Sequence, residues 1–157
     1  MQYWLPGFDL KRKLGFEDAD ETRANAGQVE FVPGRIGKAV QLNGTTYLDA
    51  GFQAANFDME DRFTMAFWAK SSQTPDGTLL SRATDKARGR GFGLEARKGR
   101  IHVHFTSDYD DDAIRMTTGA PVLKAGVWQH VAVSYTGSRM AEGVRVFVDG
   151  KPVTFKV

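Results

Sequence analysis

The sequence contains no cysteine and only 5 prolines among its 157 residues. The absence of cysteine excludes a disulfide framework, a cysteine-ligated zinc site and a thiol nucleophile, although it does not identify a cellular compartment. No run of about 18 apolar residues occurs, so no transmembrane helix is expected. Residues 1–6 lack the basic and apolar regions of a signal peptide, although removal of such a segment from a longer parent would leave the same start.

An excess of charge of one sign is also missing. The 21 lysines and arginines nearly balance the 19 aspartates and glutamates, and the net charge is +2. Such a small excess does not favour a nucleic-acid partner or insertion at an acidic membrane surface. Because hydrophobic residues make up 41% of the chain, we predict one soluble globular domain over residues 1–157.

Short stretches of alternating polar and apolar residues follow a less regular segment over residues 1–27. The clearest is Phe63–Lys70, with its apolar side chains on one face. Two dipeptides, Lys98-Gly99 and Asp149-Gly150, are typical of tight hairpin turns. The strands predicted from this pattern are 28–32, 39–42, 47–49, 63–70, 78–82, 91–97, 100–106, 113–118, 128–135, 144–148 and 151–157.

Many short strands without long helical periodicity indicate an all-β fold with antiparallel sheets. The final hairpin is the most secure local feature, because Asp-Gly tolerates positive φ at both central positions of a two-residue turn. We expect residues 144–148 and 151–157 to pair across it. The fold class predicted from the residues alone is therefore a sandwich or a barrel.

Five motifs stand out at residues 37–48, 63–70, 77–82, 128–135 and 146–151. In sequence, order and spacing they resemble laminin-G-like domains of the concanavalin A-like lectin/glucanase superfamily. The resemblance implies an antiparallel two-sheet jelly-roll sandwich with one concave sheet. Modules of this type usually bind sugars or proteins without catalysis, often with a structural calcium ion.

The resemblance also implies a function. We expect a non-catalytic recognition module that binds carbohydrate or a protein surface. Close relatives of this pattern are often appended to large secreted bacterial proteins, so a secreted, periplasmic or cell-surface location is expected. The alternatives are a structural spacer without a ligand and a glycoside hydrolase of the same fold.

The end of the chain departs from the family pattern. One or two closing strands normally follow the hairpin at Asp149-Gly150 and carry an acidic residue that helps to bind the ion, whereas this sequence ends at Val157. Three explanations stay open: the N-terminal segment fills the missing place, the chain is a fragment, or a second copy covers the edge. An open edge favours self-association, because unpaired backbone groups invite another strand.

The segment Ser107–Asp112, here called the acidic loop, holds four carboxylates. Clustered carboxylates on a loop supply the oxygen ligands that calcium prefers. We therefore predict Asp108, Asp110 and Asp112 as metal ligands, although the spacing is not that of an EF-hand. The alternative interpretation is a solvated hairpin tip.

Four residues are predicted to contact a ligand. His102 and His104 share one face of a strand, which suits a sugar-contacting pair or two ligands of a metal that lacks an evident third. Tyr109, at the tip of the acidic loop, is the best candidate for an exposed aromatic contact. Arg90 lies in a basic loop that would meet an acidic glycan or remain solvated.

Hydrolysis is not expected, because no pair of carboxylates suits it. Glycosidases need two carboxyl groups about 5–9 Å apart, and Glu95 stands alone in its strand. Trp68 and Trp128 lie within predicted strands, so we expect them to pack in the core or against a sheet.

Overall fold

The structure is a computed structural model. It describes residues 2–4, 23–25, 30–44, 46–49, 55–83, 90–108 and 112–156. Two of the predicted site residues, Tyr109 and Asp110, lie outside these ranges. Within them, no helix has the length and apolar character needed to cross a membrane.

Regular structure in the described residues is almost entirely β-strand, beside one short 3-10 helix at Ala141–Gly143. The first strands in chain order are β1 (Gln2–Trp4), β2 (Arg23–Asn25), β3 (Glu30–Pro33), β4 (Lys38–Gln41), β5 (Tyr47–Asp49), β6 (Phe63–Lys70) and β7 (Gly77–Ala83). The remaining strands are β8 (Gly91–Arg97), β9 (Arg100–Asp108), β10 (Asp112–Thr118), β11 (Gln129–Tyr135), β12 (Val144–Val148), β13 (Lys151–Pro152) and β14 (Phe155–Lys156).

The larger sheet has seven strands in the order β13-β12-β11-β6-β1-β4-β3. Its pairings are antiparallel, and β11 runs along β6 from Gln129 opposite Ala69 to Tyr135 opposite Phe63. The N-terminal strand β1 lies between β6 and β4, although residues 1–27 were predicted to be irregular. The N-terminal residues therefore fill a central place in this sheet. A separate two-stranded sheet pairs β2 with β5.

The second sheet has five strands in the order β14-β10-β9-β8-β7. The prediction that residues 151–157 all pair with β12 is only partly correct. Lys151 pairs with Val148, but Phe155 pairs with Thr118 of β10 in the other sheet. The N–H of Val153 still donates to the carbonyl oxygen of Val146 in β12 at 3.0 Å, whereas the carbonyl oxygen of Thr154 accepts from the N–H of Gly119 at 3.1 Å. The chain therefore changes sheets between Val153 and Thr154, and Phe155 packs against the core.

The two sheets enclose one core, because the apolar side chains of alternate positions point between them. In β6 the inward positions are those that the alternation predicts, with Phe67 and Ala69 buried and Thr64 and Ala66 exposed. The strands of both sheets contribute to its centre. The largest fully buried aliphatic side chains are Leu94, Ile101, Val131, Val133 and Val146.

Two tight turns have the conformation that their sequences predict. Lys98 and Gly99 have φ values of 49° and 77°, and Asp149 and Gly150 have φ values of 51° and 74°. Positive φ at both central positions matches the right-handed twist of the flanking strands. The first turn joins β8 to β9 and thereby sets the register between these two strands.

One rim of the sandwich is held by a buried tyrosine. The ring of Tyr135 stacks on Phe105 with centroids 4.9 Å apart. Its hydroxyl donates to the carbonyl oxygen of Met59 at 2.8 Å and accepts from the backbone N–H of Arg139 at 2.8 Å. Burial raises the pKa of Tyr135 above its ordinary value of 10.0. The tyrosine thus links β11 to two rim segments.

Candidate functional site

The outward side of the five-stranded sheet carries polar side chains near its centre, and we call this surface the polar face. One row of register partners across it consists of Thr78, Glu95, His102 and Thr117. The neighbouring row consists of Ser81, Gly93, His104 and Arg115. Arg97 lies beside the first row, two positions along β8 from Glu95.

The two histidines lie together on the polar face, as their spacing predicts. Nδ1 of His102 and Oγ1 of Thr117 share a hydrogen bond of 2.8 Å. The carboxylate of Glu95, the register partner of His102, accepts hydrogen bonds from Nη2 and Nε of Arg97 at 2.7 and 3.0 Å. These contacts hold the side chains in fixed positions.

A glycine determines how His104 lies on the sheet. The imidazole occupies the space where a side chain at position 93 would stand. A Cβ added to Gly93 would lie 2.1 Å from Cε1 of His104 and 2.6 Å from its Nε2. The ring can therefore lie across strand β8 only because residue 93 has no side chain. The result is a half-buried ring beside the His102–Thr117 pair.

The surroundings of both histidines favour the neutral ring near pH 7. Burial is the main cause that lowers the pKa of His102 below 6.5; the charge of Arg97 lowers it further, and the charge of Glu95 raises it. Burial likewise lowers the pKa of His104, with Glu95 opposing and Arg115 adding to the effect. A neutral imidazole presents one donor and one acceptor. The polar face thus offers both kinds of hydrogen-bonding group to a hydroxyl-rich ligand.

Arg90 lies away from the histidines, so the structure does not join it to their site. Its Nη2 is 2.6 Å from Oδ2 of Asp58 at the rim, and both side chains are largely exposed. The N–H of Met59 donates to Asp58, and this bond is the main cause that lowers the pKa of Asp58, with Arg90 contributing. Asp58 and Arg90 flank a small cleft lined by aromatic side chains such as Phe92.

The acidic loop is described only at its two ends. Asp108 and Asp112 are register partners in β9 and β10. The carboxylate of Asp112 accepts a hydrogen bond from Nη2 of Arg139, which also pairs with Glu60. Among the described residues, no three histidine, aspartate or glutamate side chains form a cluster that would hold a metal. The calcium site at Asp108, Asp110 and Asp112 therefore stays a prediction.

Three members of the polar face were not identified as site residues from the sequence. Thr117 and Gly93 meet the histidines only through pairing between strands. Arg97 binds Glu95 within β8, and pairing between strands places Glu95 opposite His102. The one signal in the sequence is the alternation within β8, where Gly93, Glu95 and Arg97 occupy every second position. That pattern assigns them to the outward face but not to a neighbour.

The fold defines the chain as an antiparallel β-sandwich domain with a polar sheet face. A family model described as the concanavalin A-like lectin/glucanases superfamily matches residues 42–156. The chain therefore belongs to this family, in its laminin-G-like group, which confirms the resemblance seen in the motifs. Domains of this kind often mediate ligand binding and are typically non-catalytic, although the superfamily includes some glycoside hydrolases. No curated protein and no solved structure gives a significant match.

Proposed function

We propose that this chain is a non-catalytic recognition module that binds carbohydrate through the polar face. The observation that carries the proposal is the imidazole of His104, laid over Gly93 beside the His102–Thr117 pair. Sugar hydroxyls both donate and accept, so they need donors and acceptors held side by side. Neutral histidines and a threonine hydroxyl supply both without the desolvation cost of a charged group.

The arrangement of carboxylates supports binding without hydrolysis. Among the described side chains of the polar face, Glu95 is the only carboxylate, and Arg97 already binds it through two nitrogens. Asp108 is six residues along β9 from His102, the register partner of Glu95. At about 3.3 Å per residue this is about 20 Å, whereas glycosidases place their two carboxyl groups no more than about 9.5 Å apart.

The setting of the module is part of the same proposal. We propose that the chain is one module of a larger secreted or cell-surface protein, as the resemblance in its motifs implies. A protein ligand is the alternative to carbohydrate at the polar face. The open arrangement of a sheet face favours an extended or branched glycan over a small molecule, because it is not an enclosed cavity.

Affinity electrophoresis through gels containing different polysaccharides, followed by calorimetry with the retained one, tests the proposal. We expect His102→Ala and His104→Ala each to weaken binding about tenfold, which corresponds to about 1.4 kcal/mol. Gln73→Ala is the control, because Gln73 is exposed in the turn between β6 and β7, away from the polar face. All variants are first compared with the parent chain by thermal unfolding.

Two outcomes would overturn this proposal in different ways. If no polysaccharide is retained, or if both histidine variants bind like the Gln73→Ala control, the polar face is not a carbohydrate site. A spacer or a protein-binding module then accounts better for the chain. If the chain releases reducing sugar from a bound polysaccharide and Glu95→Gln stops the release, the non-catalytic part of the proposal is wrong.

A further inference from the structure

The outer face of the seven-stranded sheet carries a second surface of different chemistry. Apolar and aromatic side chains occupy outward positions on β6, β11, β12 and β13, where a solvated antiparallel sheet normally carries polar residues. We call this surface the aromatic platform. It consists of Ala66, Trp68, His130, Ala132, Phe147 and Pro152, which share two adjoining rows of register partners.

Trp68 is the centre of the aromatic platform. It was predicted to pack in the core or against a sheet, and it lies half-buried on the outer face. The ring of His130, its register partner on β11, meets it edge-on with centroids 5.3 Å apart. The guanidinium of Arg35 lies 5.5 Å from the centroid of its ring. Such a cation–π contact orients both side chains at the surface.

Positive charges surround the aromatic platform. Lys70 follows Trp68 by two residues on the same face of β6, and Arg145 stands on the same face of β12. Arg35 adds a third cation. Of the nearby carboxylates, Asp149 accepts the backbone N–H of His130 at 2.8 Å. Three cations thus stand near the aromatic platform against this one carboxylate, although the whole chain is nearly neutral.

Among the residues that the structure describes on this face, one further carboxylate, that of Glu30, stands apart from the cations. Glu30 lies on β3, the edge strand, and β4 and β1 separate it from β6. Three strand spacings of about 4.8 Å place it about 14 Å from β6. This distance exceeds the screening length of about 8 Å at physiological ionic strength. Glu30 consequently does little to neutralise the charge beside Trp68.

We propose that the aromatic platform is a second ligand site, which binds a polysaccharide carrying carboxylate groups. The C–H face of a sugar ring packs on an aromatic surface, and Arg35 and Lys70 are placed to pair with carboxylates on either side. A neutral polysaccharide has no carboxylate groups with which these cations could form ion pairs. Nucleic acid is less suitable, because a strong basic stripe is its usual requirement and the net charge is only +2. This site is independent of the polar face.

The experiment compares three probes on the whole chain: polygalacturonate, a neutral polysaccharide such as dextran, and single-stranded DNA. We expect calorimetry to detect binding of polygalacturonate, and the affinity should fall as the salt concentration rises. Trp68→Ala should reduce this affinity about tenfold or more, and Arg35→Gln should reduce both the affinity and its salt dependence. Arg62→Gln is the matched control, because Arg62 is an exposed arginine outside the aromatic platform.

The variants separate this site from the polar face. Polygalacturonate binding that survives His104→Ala but not Trp68→Ala or Arg35→Gln supports the aromatic platform. Arg35 is exposed in a turn, so Arg35→Gln gives an answer even if Trp68→Ala unfolds the sheet. Three outcomes would each overturn the proposal. Polygalacturonate binding could be unaffected by Arg35→Gln, dextran could bind with equal affinity, or DNA could be the one probe whose binding depends on Trp68.

Discussion

The fit of His104 over Gly93 leads to a specific prediction about stability. Replacing Gly93 with alanine adds a single methyl group, and the backbone at this position does not have the positive φ that would disfavour alanine. The added Cβ would stand 2.1 Å from Cε1 of His104. The imidazole must therefore leave its position, or the two strands must separate.

The size of the effect depends on whether His104 is present. In the parent chain, forcing a methyl group into an occupied space should cost about 1–3 kcal/mol. In the His104→Ala background the space is free, and alanine should be more favourable than glycine in a strand by about 0.5–1 kcal/mol. The effect of Gly93→Ala should thus differ between the two backgrounds by about 1.5–4 kcal/mol.

Urea unfolding of the four chains in this double-mutant cycle measures the difference directly. As a single substitution, Gly93→Ala should lower the urea midpoint of the parent chain. Added to the His104→Ala variant, it should raise the midpoint of that variant or leave it unchanged. An equal loss of stability in both backgrounds would show that the cost comes from the backbone. A gain in both backgrounds would show that the imidazole does not lie over Gly93.

Three further predictions concern stability. Because burial lowers the pKa of His102 and His104 below 6.5, the unfolded chain binds more protons than the folded chain just below that pH. The free energy of unfolding should therefore fall as the pH drops from 7 to 5. A His102→Gln/His104→Gln variant whose unfolding free energy falls just as steeply with pH would contradict this. Tyr135→Phe leaves a buried carbonyl and N–H unpaired and should cost about 1–3 kcal/mol by urea unfolding, whereas an unchanged midpoint would refute the role of the hydroxyl. If the acidic loop binds calcium, excess calcium should raise Tm relative to EDTA, and Asp112→Asn should abolish the rise; identical melts would remove the metal hypothesis.

The alternation of side chains made most strands predictable. Phe63–Lys70, Gly91–Arg97 and Val144–Val148 have the bounds read from the sequence, because burying one face of a sheet requires apolar residues at every second position. The tight turn at Asp149-Gly150 was equally clear, since its conformation depends on only two residues. The route of the chain after that turn was predicted only in part. Residues 151–157 were expected to pair with β12, whereas Phe155 pairs with Thr118 of β10 and packs against the core. Alternation alone could not show this, because it suits a strand in either sheet.

The candidate site was only partly predictable for a related reason. A spacing of two residues was enough to place His102 and His104 on one face. Their partners come from other strands, and the registers between strands decide that Thr117 meets His102 and that Gly93 leaves room for His104. Arg90 was grouped with the histidines from its charge alone, whereas it pairs with Asp58 at the rim.

The sequence by itself determined the all-β class, most strand bounds, the tight turns and the family, because each depends on local periodicity or on motifs in order. Tertiary structure alone decided which strands are neighbours, where the N-terminal strand lies and how the two outer faces differ. The polar face and the aromatic platform are both built from side chains at alternate positions of several strands. A strand's own pattern tells which way a side chain points, but only the sheet registers bring Arg35 to Trp68 or His104 to Gly93.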